Sequence, residues 1–110
     1  MRAIAAAGRR LKIQIPQCDI DVTDAFRDHV ESRIGLALAR FADRIGRVVV
    51  RFSQVDGDTS GGHKRCEIEV GLRPRRVDVE EIDVDLFAAV NHATDRASRS
   101  IARALEQGRP

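Results

Sequence analysis

His92, Arg96, Arg99 and Arg103 are spaced by four, three and four residues, which on a helix stacks them into one stripe. A second stripe in the same segment, Leu86, Val90, Ala93, Ala97, Ile101 and Leu105, lies about 140° away round the helical wheel. One face is built for a core and the other for a polyanion, because guanidinium groups hold phosphate oxygens through charge-assisted hydrogen bonds. The plainer reading is a solvated helix face. Such a face tends to intersperse acids, and here the nearby acids are Asp95 on the flank and Asp85 a turn or two earlier. Two further sets have the same chemistry. Arg33, Arg40 and Arg44 edge the apolar face of an earlier helical segment, where their stems either cover the core rim or carry their heads to RNA. Lys64 and Arg65 follow a glycine-rich loop, a position suited to phosphate contact or to cross-strand pairing with an acid such as Asp78.

Other chemistries find little material. No serine, histidine and acid trio stands out, so the chain is expected not to be an enzyme. His29, His63 and His92 share no ligand spacing, and Cys18 and Cys66 form no CxxC pair, so neither a metal site nor a disulfide is expected. Cys66 alternates with Ile68 and Val70 and reads as a small core residue. Tyr and Trp are absent, and of four Phe only Phe87 is left to stack on a base, so recognition falls to phosphate and groove shape. Net charge is only +2, from 19 basic and 17 acidic groups, so any electrostatic case rests on distribution. The basic set is 17 Arg against 2 Lys, which suits oxyanion binding and equally fits codon usage in a GC-rich genome. No apolar run approaches the roughly 20 residues that span a bilayer, and the opening run is shorter than a secretory core, so a cytoplasmic protein without a membrane partner is expected.

The elements that position these groups follow from periodicity. Leu11, Ile13 and Ile15 alternate with polar residues as a half-buried strand stopped by Pro16. Thr23 caps a helix carrying Phe26, Val30, Ile34, Ala37, Leu38 and Phe41 on one face, with Gly46 expected to end it. Strands follow with Val48, Val50 and Phe52 inward, then Cys66, Ile68 and Val70, then Val77 and Val79 over Arg76 to Glu80. Asp56 to Gly62 reads as a mobile hairpin loop, and Asp83 or Asp85 caps the closing helix, which Gly108 and Pro110 terminate. The expected fold is α+β, in the order β-α-β-β-β-α. It is a four-stranded mixed sheet with two helices packed on one face and the other face wet. Residues 1–10 read as a flexible N-terminal extension, 11–107 as a single domain and 108–110 as a tail.

Three stretches carry a resemblance. They are Val22-Thr23-Asp24-Ala25-Phe26-Arg27-Asp28-His29-Val30, Arg40-Phe41-Ala42-Asp43-Arg44-Ile45-Gly46-Arg47-Val48-Val49-Val50 and Ala89-Val90-Asn91-His92-Ala93-Thr94-Asp95-Arg96. In this order they resemble the ribosome hibernation-promoting factor and ribosome-associated inhibitor family over about residues 11 to 105, and Lys64-Arg65-Cys66 after a glycine-rich loop looks like its short-form branch. The resemblance implies a non-catalytic factor that needs no cofactor or small-molecule substrate, binds rRNA of the small ribosomal subunit in the channel used by mRNA and tRNA, and blocks initiation in idle ribosomes. Longer relatives add a C-terminal ribosome-dimerising domain, which this chain is not expected to supply. Two features depart from the family pattern. Pro16-Gln17-Cys18 stands where a glycine and a basic residue are usual. The acidic cluster Asp78, Glu80, Glu81, Asp83 and Asp85 is expected to face away from RNA or to mark another partner. Two alternatives follow, a protein-protein interaction domain using the acidic strand and exposed sheet face, and a general structured-RNA-binding module.

Overall fold

A computed structural model describes the backbone of residues 2–6, 9–18, 20–55 and 62–107, and the side chains of those from residue 11 onward. The expected tail at 108–110, and the loop Asp56 to Gly62 except for Gly62 itself, lie outside the described residues.

The strands β1 (Arg2–Ala6), β2 (Arg9–Gln14), β3 (Ile45–Gln54), β4 (Lys64–Leu72) and β5 (Arg76–Asp83) lie side by side in chain order in one mixed sheet. β2 and β3 run parallel because helix α1 (Asp24–Leu38) connects them, and β3, β4 and β5 form an antiparallel meander. Helix α2 (Leu86–Gln107) closes the chain. The β-α-β-β-β-α order and the placing of both helices on one face agree with the periodicity. A fifth strand joins the four expected ones: β1 pairs antiparallel with β2, and the segment read as a flexible extension supplies an edge of the sheet. Its sequence, Arg-Ala-Ile-Ala-Ala, is poor in β-branched residues, so only the unsatisfied edge of β2 reveals it.

The core follows the predicted parity. Leu11, Ile13, Val48, Val50, Phe52, Cys66, Ile68, Val70, Val77 and Val79 are buried beneath the helices. Helix α1 contributes Phe26, Val30, Ile34 and Leu38, while α2 contributes Ala89, Val90, Ala93, Ala97 and Ile101, small residues that let it sit close to the sheet. The Thr23 hydroxyl accepts from the amide of Phe26 at 3.1 Å, a cap that contributes about 1 kcal/mol. The Asp85 carboxylate accepts from the amide of Phe87 at 2.9 Å, and Asp83 in turn accepts from the amide of Asp85, so Asp85 is the cap of α2.

Gly46 does not end the first helix. The α-helix stops at Leu38, tightens into a 3₁₀ turn over Ala39–Arg44 that buries Phe41 and Ala42, and passes directly into β3. Gly46 lies in that strand as the extra residue of a bulge, since Ile45 pairs with Leu72 and Arg47 with Gly71. Among the described residues, no helix is long and apolar enough to cross a membrane.

Candidate polyanion-binding surface

The register orders the charges along the strands. Gln54 of β3 faces Lys64 of β4, which faces Asp83 of β5, so the end of β3 and the starts of β4 and α2 share one end of the molecule. The first turn of α1 is there too, because Phe26 meets Phe87 edge-on with centroids 5.0 Å apart. That end gathers Asp21, Asp24, Asp28, Asp83 and Asp85. At the opposite end the 3₁₀ turn, the start of β3, the β4–β5 turn and the last turns of α2 come together. This end carries Arg40, Arg44, Arg47, Arg73, Arg75, Arg76 and Arg103, all exposed. The near-neutral total therefore conceals one acidic and one basic end.

All four members of the α2 stripe are exposed, as the wheel requires. They are not equivalent. The Arg96 guanidinium donates to the Glu80 carbonyl at 2.7 Å and to the Glu81 carboxylate at 3.1 Å, which ties α2 to β5. Glu81 shares its parity with the inward Val77 and Val79, so part of the acidic cluster faces the stripe. Arg103 has only a long 3.5 Å contact to the Ser100 hydroxyl. His92 and Arg99 have no side-chain partner among the described residues.

The other candidates separate in the same way. Arg33 is a clamp between the helices, donating to Asn91 at 3.3 Å and pairing with Asp95 at 2.9 Å. Arg40 lies over the Phe41 ring at 4.4 Å from its centroid. With Arg44, Ala102, Leu105 and Glu106 it lines a cleft of about 460 Å³ between the 3₁₀ turn and the end of α2. Arg40 and Arg44 are thus brought to one region, with Arg103 at the same end of the molecule and Arg99 one turn before it on α2. Lys64 and Arg65 are not, because they begin β4 at the acidic end. The Lys64 ammonium donates to the Gly62 carbonyl at 2.9 Å. Arg65 Nε stands 3.2 Å from a Glu80 carboxylate oxygen, close enough to pair but out of line for a hydrogen bond, and its Nη1 contacts the Ser53 hydroxyl at 3.4 Å. The partner of Arg65 is thus Glu80, on the diagonal, where Asp78 was the acid named from sequence.

The open sheet face is neutralised within itself. Glu69 receives Arg51 at 3.2 Å and Arg47 at 3.9 Å, and Arg76 pairs with Asp78 at 3.0 Å. Arg47, Arg73, Arg75 and Arg76 were not singled out from sequence. The run Arg73-Pro74-Arg75-Arg76 is a readable signal, but a turn assignment accounts for it before any function does.

Among the described residues, no three His, Cys, Asp or Glu side chains group as a metal site. Burial, and after it the charges of Glu67 and Glu81, push the Cys66 thiol up to about 12, so it stays protonated and inert. The Cys18 thiol is half-buried and donates to the Ile20 carbonyl at 3.3 Å.

Comparison with known proteins agrees with this architecture. Protein Y N-terminal domain from Thermus thermophilus is 32% identical, with a TM-score of 0.62 over 84% of this chain and 96% of that one. A ribosomal subunit interface protein from Coxiella burnetii shares the fold at a TM-score of 0.72 and 15% identity, over 87% of this chain and 99% of the other. Among curated sequences, the chloroplastic ribosome-binding factor PSRP1 of Spinacia oleracea is 27% identical over 84% of this chain. One subunit of an aspartyl/glutamyl-tRNA(Asn/Gln) amidotransferase from Acaryochloris marina is 31% identical over 73% of it. The chain spans only 32% and 17% of the length of these two relatives. A family model described as sigma 54 modulation protein / S30EA ribosomal protein matches residues 13–109, and with nearly the whole domain covered and the expected fold in place, the chain belongs to that family.

Proposed function

We propose that this protein is a non-catalytic factor that docks its basic end on the small ribosomal subunit, holding rRNA phosphates and so inhibiting translation or stabilising idle ribosomes. The observation that carries the reading is the segregation of charge along the strands. It gives a protein of net charge +2 a face on which Arg40, Arg44, Arg99 and Arg103 stand without a carboxylate partner among the described residues. An RNA surface attracts that end and repels the Asp83 and Asp85 end, so the charge arrangement orients the protein as well as binding it. Membership of the family and the names of the relatives, one a ribosome-binding factor and one a ribosomal subunit interface protein, support the ribosome as the source of that RNA.

Sedimentation with purified subunits across a salt series tests the reading. The protein is expected to pellet with small subunits at low salt and to be released steeply as salt rises, because each phosphate contact returns a counterion to solution. Recovery only in the subunit-free fraction, with subunits in excess, overturns it. Binding that ignores salt and survives ribonuclease digestion points instead to a protein partner.

A further inference from the structure

The start of β3 and the β4–β5 turn form a corner that the α2 stripe does not explain. Two small clefts meet there, each of about 270 Å³. Asp43, Arg44, Ile45, Gly46 and Arg73 line one, and Gly46, Arg47, Gly71, Leu72 and Arg73 line the other. Arg73 and Gly46 belong to both, so Arg73 stands between Arg44 and Arg47 over a floor of two glycines. A single carboxylate, Asp43, is among these lining residues. Arg44 and Arg73 have no side-chain partner among the described residues, and Arg47 has only the 3.9 Å approach to Glu69.

The fold does not need glycine at the floor. A Cβ on Gly46 meets the Gly71 carbonyl oxygen at 3.6 Å, and one on Gly71 meets nothing nearer than 3.8 Å, both ordinary contacts. Neither residue has a left-handed backbone, and glycine weakens a strand. Glycines that packing and conformation leave free, in clefts lined by three arginines, keep open a floor onto which an oxyanion can descend to the backbone. The bulge at Gly46 sets Arg47 off from the regular strand register beside it.

We propose that Arg44, Arg47 and Arg73, over the Gly46–Gly71 floor, form a phosphate-binding cleft distinct from the α2 stripe. Its ligand is a phosphate group, either of a folded RNA backbone or of a free phosphorylated molecule. In the first case the inference rests on the ribosome reading, and in the second it stands alone.

Two measurements on the full chain test it. In the first, the free protein is titrated with inorganic pyrophosphate and followed by amide NMR. In the second, binding to small subunits is compared between the parent and the Arg44→Gln/Arg73→Gln double variant at one salt concentration. Both arginines are exposed, so the melting temperature is expected to hold. Gly46→Ala supplies a second variant that narrows the floor without touching a charge. A phosphate of RNA predicts that the double variant binds subunits about tenfold more weakly. A free phosphorylated ligand predicts saturable shifts at Gly46, Gly71 and Arg73, lost in both variants, with binding to subunits unchanged. No localised pyrophosphate shift, together with parental affinity of both variants for subunits, overturns the cleft while the ribosome reading stands. If the parent itself fails to bind subunits, the ribosome reading falls and the titration alone decides the cleft.

Discussion

The open sheet face and the basic end of the molecule are built from the same residue type and behave oppositely. On the sheet face, Arg51 and Arg47 reach Glu69, Arg65 reaches Glu80 and Arg76 reaches Asp78, all between 3.0 and 3.9 Å. By contrast, Arg40, Arg44, Arg73 and Arg103 at the basic end, and Arg99 one turn before Arg103 on α2, project with no carboxylate in range among the described residues. Arg76 and Asp78 meet two residues apart on β5, and for the other pairs the difference comes from antiparallel pairing. It sets arginine-bearing and acid-bearing strands shoulder to shoulder across the meander, whereas the chain turns and helix ends bring arginine against arginine. A count of charges does not distinguish the two surfaces, and the register does.

The largest effect that can break this comparison is charge reversal at the free arginines. Arg99→Glu/Arg103→Glu is expected to weaken binding to the small subunit about 100-fold or more with the melting temperature unchanged, since each loses a charge-assisted bond and adds repulsion. Arg51→Ala, on the neutralised face, is the matched control. It is expected to move binding by less than about twofold and stability by under about 1 kcal/mol, as for other exposed pairs. Equal losses in the two variants, read by sedimentation with subunits, would remove the distinction between the surfaces.

A second test probes the layer under the paired acids. Cys66 is held up to about 12 by burial and by Glu67 and Glu81, against an ordinary value of 9.0. Because the folded value is the higher one, its contribution to stability is complete below about pH 9. It is lost at about 1 kcal/mol per pH unit as pH climbs from there towards 12, where the unfolded thiol ionises and the folded one does not. Urea melts of the parent and of Cys66→Ala at pH 8 and 10 check the sign: only the parent carries this alkaline term. At pH 8 a thiol reagent is expected to modify Cys18 in the native protein and to leave Cys66 untouched.

The smallest expected effect sharpens the comparison most, because Arg96 lies in the α2 stripe by sequence and in the paired set by structure. Arg96→Ala removes the bonds to the Glu80 carbonyl and the Glu81 carboxylate and is expected to cost about 1 kcal/mol of stability. Arg99→Ala is expected to cost none. In binding to subunits the order reverses, with Arg99→Ala the more damaging. Thermal melts and sedimentation of the two single variants test whether Arg96 serves the fold and Arg99 serves binding.

Much of the fold was legible because strand parity and helical spacing are local. The inward series Val48, Val50, Phe52 and Cys66, Ile68, Val70 came out as read, as did the cap at Thr23. The end of the first helix was not legible. Gly46 looked like a terminator, but the chain had already tightened at Ala39, and Gly46 lies instead in a strand bulge beside Gly71. The strand at Arg2–Ala6 was missed because its residues have little strand character and its pairing with β2 is the only local reason to be extended.

The candidate surface was half legible. The geometry of one helix revealed the α2 stripe, since its members lie within about four turns of each other. The corner formed by Arg44, Arg47 and Arg73 was not visible, because it joins residues nearly thirty positions apart through the β3–β4 register. By itself the sequence determined which face of each element is apolar, where the helices start and that arginine is the protein's main cation. Only the tertiary structure decided which arginines are free. A salt bridge acts over 3 to 4 Å through space. Apart from a pair such as Arg76 and Asp78, two residues apart on one strand, whether an acid stands within that distance depends on strand register and helix placement, as for Arg51 and Glu69, and no local pattern of residues encodes those.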